Sequence, residues 1–291
     1  MLFSILSENC HLTIAASSYL CFMQKSILVN LVLLMTIISC NNQNQPKENE
    51  DGVVQSVLSH EKILLDSIVQ FPDSLIIKEK LIQYYIDASD YDKAIAFTSR
   101  QLSTDSLNDR LWDIKGNLQY ENEDTLGAIR SYETALQINP VPKYVILLGS
   151  LYAQTKNKKA LEVADFLIGS KIPKTETESF FIKGLYYNYA GEKMKAISFF
   201  DKCLDLDYNY MFAYREKGIA LYDMGRYEDA VTVLDKAVTL QSNFDEGHYW
   251  LGRSLEKLNK PNDAIEAYKT ALLYAPDYEE AKDALKRLGV K

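Results

Sequence analysis

A chain of 291 residues that is 47% hydrophobic and 25% charged has the composition of a folded protein, long enough for one large domain or two small ones. Its formal charge of -8 excludes a phosphate-binding surface, because non-specific nucleic-acid affinity is built from clustered Lys and Arg and the longest basic run here is "KNKK" at 156–159. No nucleic-acid partner is therefore expected.

In chain order, the first patterned segment is "MQKSILVNLVLLMTIISC" at 23–40: Lys25, an apolar stretch from Ile27 to Ile38, small Ser39, then Cys40. The stretch is too short for the ~20 residues that span a bilayer and fits the ~7–15 of a signal-peptide core. Ile37-Ile38-Ser39-Cys40 resembles the lipobox of bacterial lipoproteins. That resemblance implies cleavage before Cys40, a diacylglyceryl group on its thiol and an acylated amine, so that several acyl chains anchor the protein where one alone holds only marginally. The alternative is an ordinary secretory signal cut elsewhere, with Cys40 a bystander. Residues 1–22 lack a basic start and carry Glu8, so translation is expected to begin at Met23; Cys10 and Cys21 then drop out and Cys203 has no intramolecular partner. Residues 40–53 read as a flexible tether, since "NNQNQPKENEDG" at 41–52 has too little apolar surface to fold. Within it, "KENED" resembles the lysine-plus-acid tags that send some lipoproteins to the cell surface.

From residue 54 onward the chain is periodic. Glycines fall at 116, 149, 184, 218 and 252, alanines at 94, 128, 196, 230 and 264, and a second small residue follows at Ala135, Cys203, Ala237 and Ala271. Spacings of 33 to 35 between those glycines are the signature of a stacked repeat array. The segments "LWDIKGNLQYENEDTLGAIRSYETALQINP" (111–140) and "EGHYWLGRSLEKLNKPNDAIEAYKTALLYAP" (246–276) resemble the tetratricopeptide repeat, or TPR, with Leu251-Gly252, Leu255, Ala264, Tyr268, Ala271 and Pro276 at the family's positions. The resemblance implies an all-α fold: a right-handed superhelical stack of about six helix-turn-helix units over 54–291, with capping helices at both ends. The units are expected at 75–108, 109–141, 142–176, 177–210, 211–244 and 245–278. The first has Ile82 in place of glycine; the third places Ala160 eleven residues after Gly149, so one residue is expected to be missing from its turn. The caps are expected at 54–70, with Val57, Leu58, Leu64, Leu65 and Ile68 at helical spacing, and at "EEAKDALKRLG" (279–289), where acids come first and bases last to suit the helix dipole.

Catalytic chemistry is sparse. No HExxH, GxSxG or P-loop motif is present, and His60 and His248 lie almost a whole array apart. No catalytic residue, cofactor or metal is expected, and the chain is read as a non-enzyme. Asp205, Asp207, Asn209 and Glu216 have calcium-loop spacing, but Tyr210 stands where the sharp turn demands glycine, and the repeat register makes the same residues an inter-helix turn. Cys203 is expected to be a small apolar residue in an alanine's place.

What remains is surface. In TPR proteins the first helix of each pair lines a concave groove that grips an extended peptide or partner helix, which here implies Phe181, Leu185, Asn188 and Tyr189, then Phe212, Arg215, Ile219 and Tyr222, then Tyr249, Arg253 and Glu256. Aromatics beside arginines are the composition enriched in binding hot spots. The family's clamp for a C-terminal carboxylate is not reproduced: the corresponding places hold Asp113 and Asn117 in the second unit and Arg215 and Ile219 in the fifth. The expected protein is a lipid-anchored adaptor of the cell envelope, at the outer membrane on its periplasmic or outer side, that binds an envelope protein or peptide. The alternative is a surface lipoprotein that binds a glycan or nutrient.

Overall fold

The computed structural model describes residues 50–290 apart from 171, 173 and 174, with side chains described from His60 onward; the segment 1–39, Cys40 and the tether up to residue 49 lie outside the described residues. The described residues form fourteen helices and no strand. They divide into two compact units at the Pro140–Val141 bond.

The N-terminal unit holds α1 (Glu50–Gln70), α2 (Leu75–Asp87), α3 (Tyr91–Thr104), α4 (Asp109–Glu121) and α5 (Thr125–Ile138). The C-terminal unit holds α6 (Pro142–Gln154), α7 (Lys159–Gly169), α8 (Thr175–Tyr189), α9 (Lys193–Leu206), α10 (Met211–Asp223), α11 (Tyr227–Leu240), α12 (Asp245–Lys257), α13 (Pro261–Tyr274) and α14 (Glu279–Arg287). The pairs α2–α3 through α12–α13 are the six expected repeats. Pro142 and Pro261 open α6 and α13, where the missing N–H is needed least.

The periodic glycines work by absence of a side chain. A Cβ on Gly116 would lie 2.9 Å from the Tyr132 ring, on Gly218 2.7 Å from Leu234 and on Gly252 2.7 Å from Tyr268; on Gly184 it would overlap the Phe200 ring. Each partner follows its glycine by sixteen residues and projects from the second helix of the same pair, so the two backbones close around one large side chain. In the third unit Gly149 receives Ile182 from the next repeat at 2.6 Å and Val163 at 2.9 Å instead. The first unit exchanges the sizes: Ile82 stands in the glycine's place, and sixteen residues on stands Thr98, both buried.

The turn inside each pair has a common geometry that composition does not reveal. Its second residue is left-handed: Ser89 (φ 55°), Glu123 (60°), Lys156 (57°), Gly191 (86°), Gly225 (74°) and Asn259 (58°). The amide after it donates to the carbonyl five residues back, as in Asp124 N to Gln119 O at 2.7 Å and Asn157 N to Tyr152 O at 2.8 Å, which closes the first helix with a Schellman cap. Glycine fills only two of these six positions. Replacing Lys156 with glycine is expected to stabilise the chain by roughly 1 kcal/mol, because a Cβ is disfavoured there, and the gain is read as a higher urea midpoint.

The same cap explains a correction in the third unit. No residue is missing from its turn, which runs from Thr155 to Lys158 and is one longer than the others; the shortening falls on α7. Ala160 is the second residue of α7, whereas Ala128, Ala196, Ala230 and Ala264 are each the fourth of their helices. With Lys156 and Asn157 fixed by the preceding helix, only the start of α7 is left to yield.

The two ends differ. At the C-terminus α14 buries Ala281, Ala284 and Leu285, with Glu279 and Glu280 in its first turn and Lys286 and Arg287 in its last, as expected of a cap. At the N-terminus α1 begins at Glu50, so residues 50–53 belong to a helix rather than to the tether. Its cover is incomplete. Leu64 is buried, but Leu65, placed inside by spacing, is 39% exposed, and Val69, Phe71, Leu75 and Ile76 are open to solvent.

Candidate functional site

The first helices of the last three repeats, α8, α10 and α12, carry the expected groove residues, and their exposure changes along the series. α8 packs against α6, α7, α9 and α10. Phe181 is buried between the rings of Phe200 and Tyr210, with centroids 6.0 and 5.1 Å away, and Leu185 is buried beside it. Asn188 is buried too, accepting from Lys193 Nζ at 2.8 Å and reaching Glu216 Oε2 at 3.5 Å. Phe181, Leu185 and Asn188 are therefore packing residues and do not line a groove: Tyr210, just before α10, packs on Phe181, and Lys193 and Glu216 occupy Asn188. Tyr189 is 41% exposed at the end of α8.

On α10, Phe212 and Arg215 are half-buried, with the guanidinium 5.2 Å from the ring centroid. Arg215 Nη2 lies 3.0 Å from Glu216 Oε1, and Nη1 bonds Glu246 of α12. Burial alone would lower the Arg215 pKa, yet Glu216 and Glu246 hold it above the usual range. Its charge is already spent inside the fold. Ile219 is half-buried, and Glu256 accepts from Tyr268 at 3.0 Å and Arg287 at 2.9 Å.

Arg253 is in a different position. Its guanidinium sits 4.8 Å from the Trp250 ring centroid, 5.0 Å from Tyr222 and 5.9 Å from Tyr249, and Nη2 donates to the Tyr222 hydroxyl at 3.2 Å. Tyr222 meets Trp250 edge-on at 5.6 Å, and Tyr249 packs on Tyr278 at 4.8 Å. No carboxylate lies within 4 Å of Arg253 among the described residues. Burial opposes its charge, while Tyr222 and Tyr249 support it and raise its pKa on balance. A half-buried cation held by three aromatic faces, acted on by Glu256 only from beyond salt-bridge distance, is suited to an acidic or aromatic group from outside.

Trp250 is the member that sequence reasoning missed. One and two repeats earlier its register is held by Glu216 and Ile182, both buried, so periodicity argued for core. Only its size, against a neighbouring Tyr222, could have signalled otherwise.

A second cluster is fully internal. Glu178 Oε2 accepts from the Tyr210 hydroxyl at 2.6 Å, and both residues are buried. Burial pushes the Glu178 pKa up to about 7, with Asp207 adding to the rise and the Tyr210 bond opposing it. Burial, with Glu178 and Asp207, also pushes the Cys203 thiol up, so it stays protonated in its alanine-like slot. The calcium-spaced residues serve the inter-helix turn: Asp207 follows α9 and accepts from Asn209 N at 3.0 Å, while Glu216 faces Arg215. His60 packs on Tyr84 at 5.5 Å, and His248 stacks on Tyr274 with Nε2 2.8 Å from Ser242 O. In the absent clamp, Asn117 is occupied by the Tyr132 hydroxyl at 2.6 Å.

Models of the tetratricopeptide repeat match residues 177–210 and 245–278, and a model of the TPR repeat matches residues 218–259. Among solved structures, a tetratricopeptide repeat protein from Parabacteroides merdae ATCC 43184 superposes with a TM-score of 0.63 at 18% identity, over 82% of this chain and 94% of that one. PilW, described as a widely conserved type IV pilus biogenesis factor, superposes with a TM-score of 0.51 at 19% identity, over 72% of this chain and 97% of that one. Curated protein sequences give no match. Identities this low speak for the fold alone.

Proposed function

We propose that this chain, a tetratricopeptide repeat protein, is a lipid-anchored adaptor of the cell envelope that binds a peptide or partner helix on the first-helix face of its last two repeats. The observation that carries the binding reading is Arg253, caged by Tyr222, Tyr249 and Trp250 and with no carboxylate within 4 Å among the described residues. Arg215 orients α10 against α12 through Glu246. The anchor rests on the lipobox-like residues ending at Cys40, and placement at the outer membrane rests on that anchor.

Residues 41–291 used as bait in an envelope extract are expected to retain a partner that Arg253→Met, Tyr222→Ala or Trp250→Ala releases by about tenfold or more, the size of a hot-spot loss. Retention indifferent to all three substitutions would refute the site. A glycan array that lights up with the same residues required would favour the ligand-binding alternative. Labelled palmitate tests the anchor separately: incorporation is expected to vanish in Cys40→Ala.

A further inference from the structure

Residues 69–76, "VQFPDSLI", run from the end of α1 through its turn into α2, and four of the eight are large, apolar and exposed: Val69 80%, Phe71 59%, Leu75 63% and Ile76 66%. Single exposed apolar side chains are ordinary; four around one hairpin end make a patch. The turn beneath them is ordered. Phe71 N donates to Ser67 O at 2.9 Å and Ser74 N to Phe71 O at 3.1 Å, so these backbone groups would not be orphaned on leaving water. Charges along 60–80 are mixed in sign: Lys62, Lys78 and Lys80 stand beside Glu61, Asp66, Asp73 and Glu79, and Glu79 is paired with Arg110. A surface that is apolar without a net sign fits the interfacial zone of a zwitterionic phospholipid bilayer better than a charged partner, with Asp73 kept at headgroup level.

Chain length puts that bilayer within reach. Nine residues, 41–49, separate Cys40 from α1, and the ten residue steps from Cys40 to Glu50 span at most ~35 Å at ~3.5 Å each. α1 itself, 21 residues long, covers roughly 32 Å. A tether of that length can let the far end of α1 return to the membrane that holds its start. We propose that the Val69–Ile76 turn dips into the interface of the same bilayer entered by the lipid at Cys40, which gives the N-terminal unit a second point of attachment; this rests on the anchor reading above. Even a weak apolar contact then counts, because the anchor makes it intramolecular.

The test uses the full chain on phosphatidylcholine vesicles whose acyl chains carry bromine, a quencher of indole fluorescence. Phe71→Trp is expected to add emission that the brominated lipid quenches on the order of twofold, as befits a shallow depth of ~5–10 Å, while Trp112 and Trp250 are spared. Adding Leu75→Asp and Ile76→Asp is expected to abolish that quenching. Palmitate incorporated at Cys40 with no extra quenching from position 71 would overturn the proposal and leave the anchor standing. Extra quenching without palmitate would support the turn and remove the anchor. A concentration-dependent blue shift of the added indole without vesicles, lost with Leu75→Asp, would assign the patch to a second copy of the chain and overturn the lipid reading.

Discussion

Gly184→Ile is expected to destabilise the C-terminal unit by about 3 kcal/mol, seen as a lower urea midpoint at unchanged slope. The added carbons have nowhere to go, since even a Cβ there overlaps the Phe200 ring, which is itself fully buried. Neither backbone can retreat without opening the crossing of α8 over α9. Phe200→Thr alone is expected to cost about 4 kcal/mol by emptying the same space. Together the two substitutions recreate the pairing of Ile82 with Thr98 in the first unit, and the double variant is expected to recover at least half of the summed loss. Strict additivity would show that Ile82 and Thr98 do not compensate one another.

Glu178 gives the second large effect, this one dependent on pH. The folded chain holds this proton up to about pH 7, against 4.5 for an ordinary glutamate, so the folded state binds it more tightly than the unfolded state does. The stability it contributes is complete below pH 4.5 and is lost as pH rises through 7. At ~1.4 kcal/mol per unit, the difference between pH 4.5 and pH 8 is roughly 3 kcal/mol. Glu178→Gln keeps an acceptor for the Tyr210 hydroxyl and carries no charge. It is expected to match the parent chain in acid, exceed it at pH 8 and show a flatter profile between. Parallel profiles for the two chains would mean that Glu178 ionises in the fold without penalty.

Much of the architecture was legible because its constraints repeat. A glycine facing a large residue sixteen positions on is a steric rule, and four copies of it set the register of the helix pairs. The left-handed turns were not legible, because Ser89, Glu123, Lys156 and Asn259 occupy positions that glycine would announce, and their geometry is imposed by the helices on either side. For the candidate site, Tyr222, Tyr249 and Arg253 were placed by register, whereas in the same register on α8 Phe181 is covered by Tyr210, Asn188 reaches Glu216 and Leu185 is buried. Whether a first-helix position is open depends on the residue that begins the next repeat, a contact across about thirty positions that periodicity treats as constant. The incomplete cover of α1 escaped for a related reason: helical spacing grouped Leu64 with Leu65, but only Leu64 meets the core.

The bonds between successive repeats also have a mechanical consequence. Asn188 reaches Glu216, Lys193 reaches Asp223, Arg215 reaches Glu246, Arg253 reaches Tyr222 and Arg287 reaches Glu256, each joining one repeat of the C-terminal unit to the helix that follows it. Such a series behaves as a zipper: a pull on the C-terminal end opens Arg287–Glu256 first, and each later tooth must part before the next bears load. A partner gripping Arg253 and Tyr222 would clasp both sides of one tooth, so peeling would stall there at a force set by the partner's own hold.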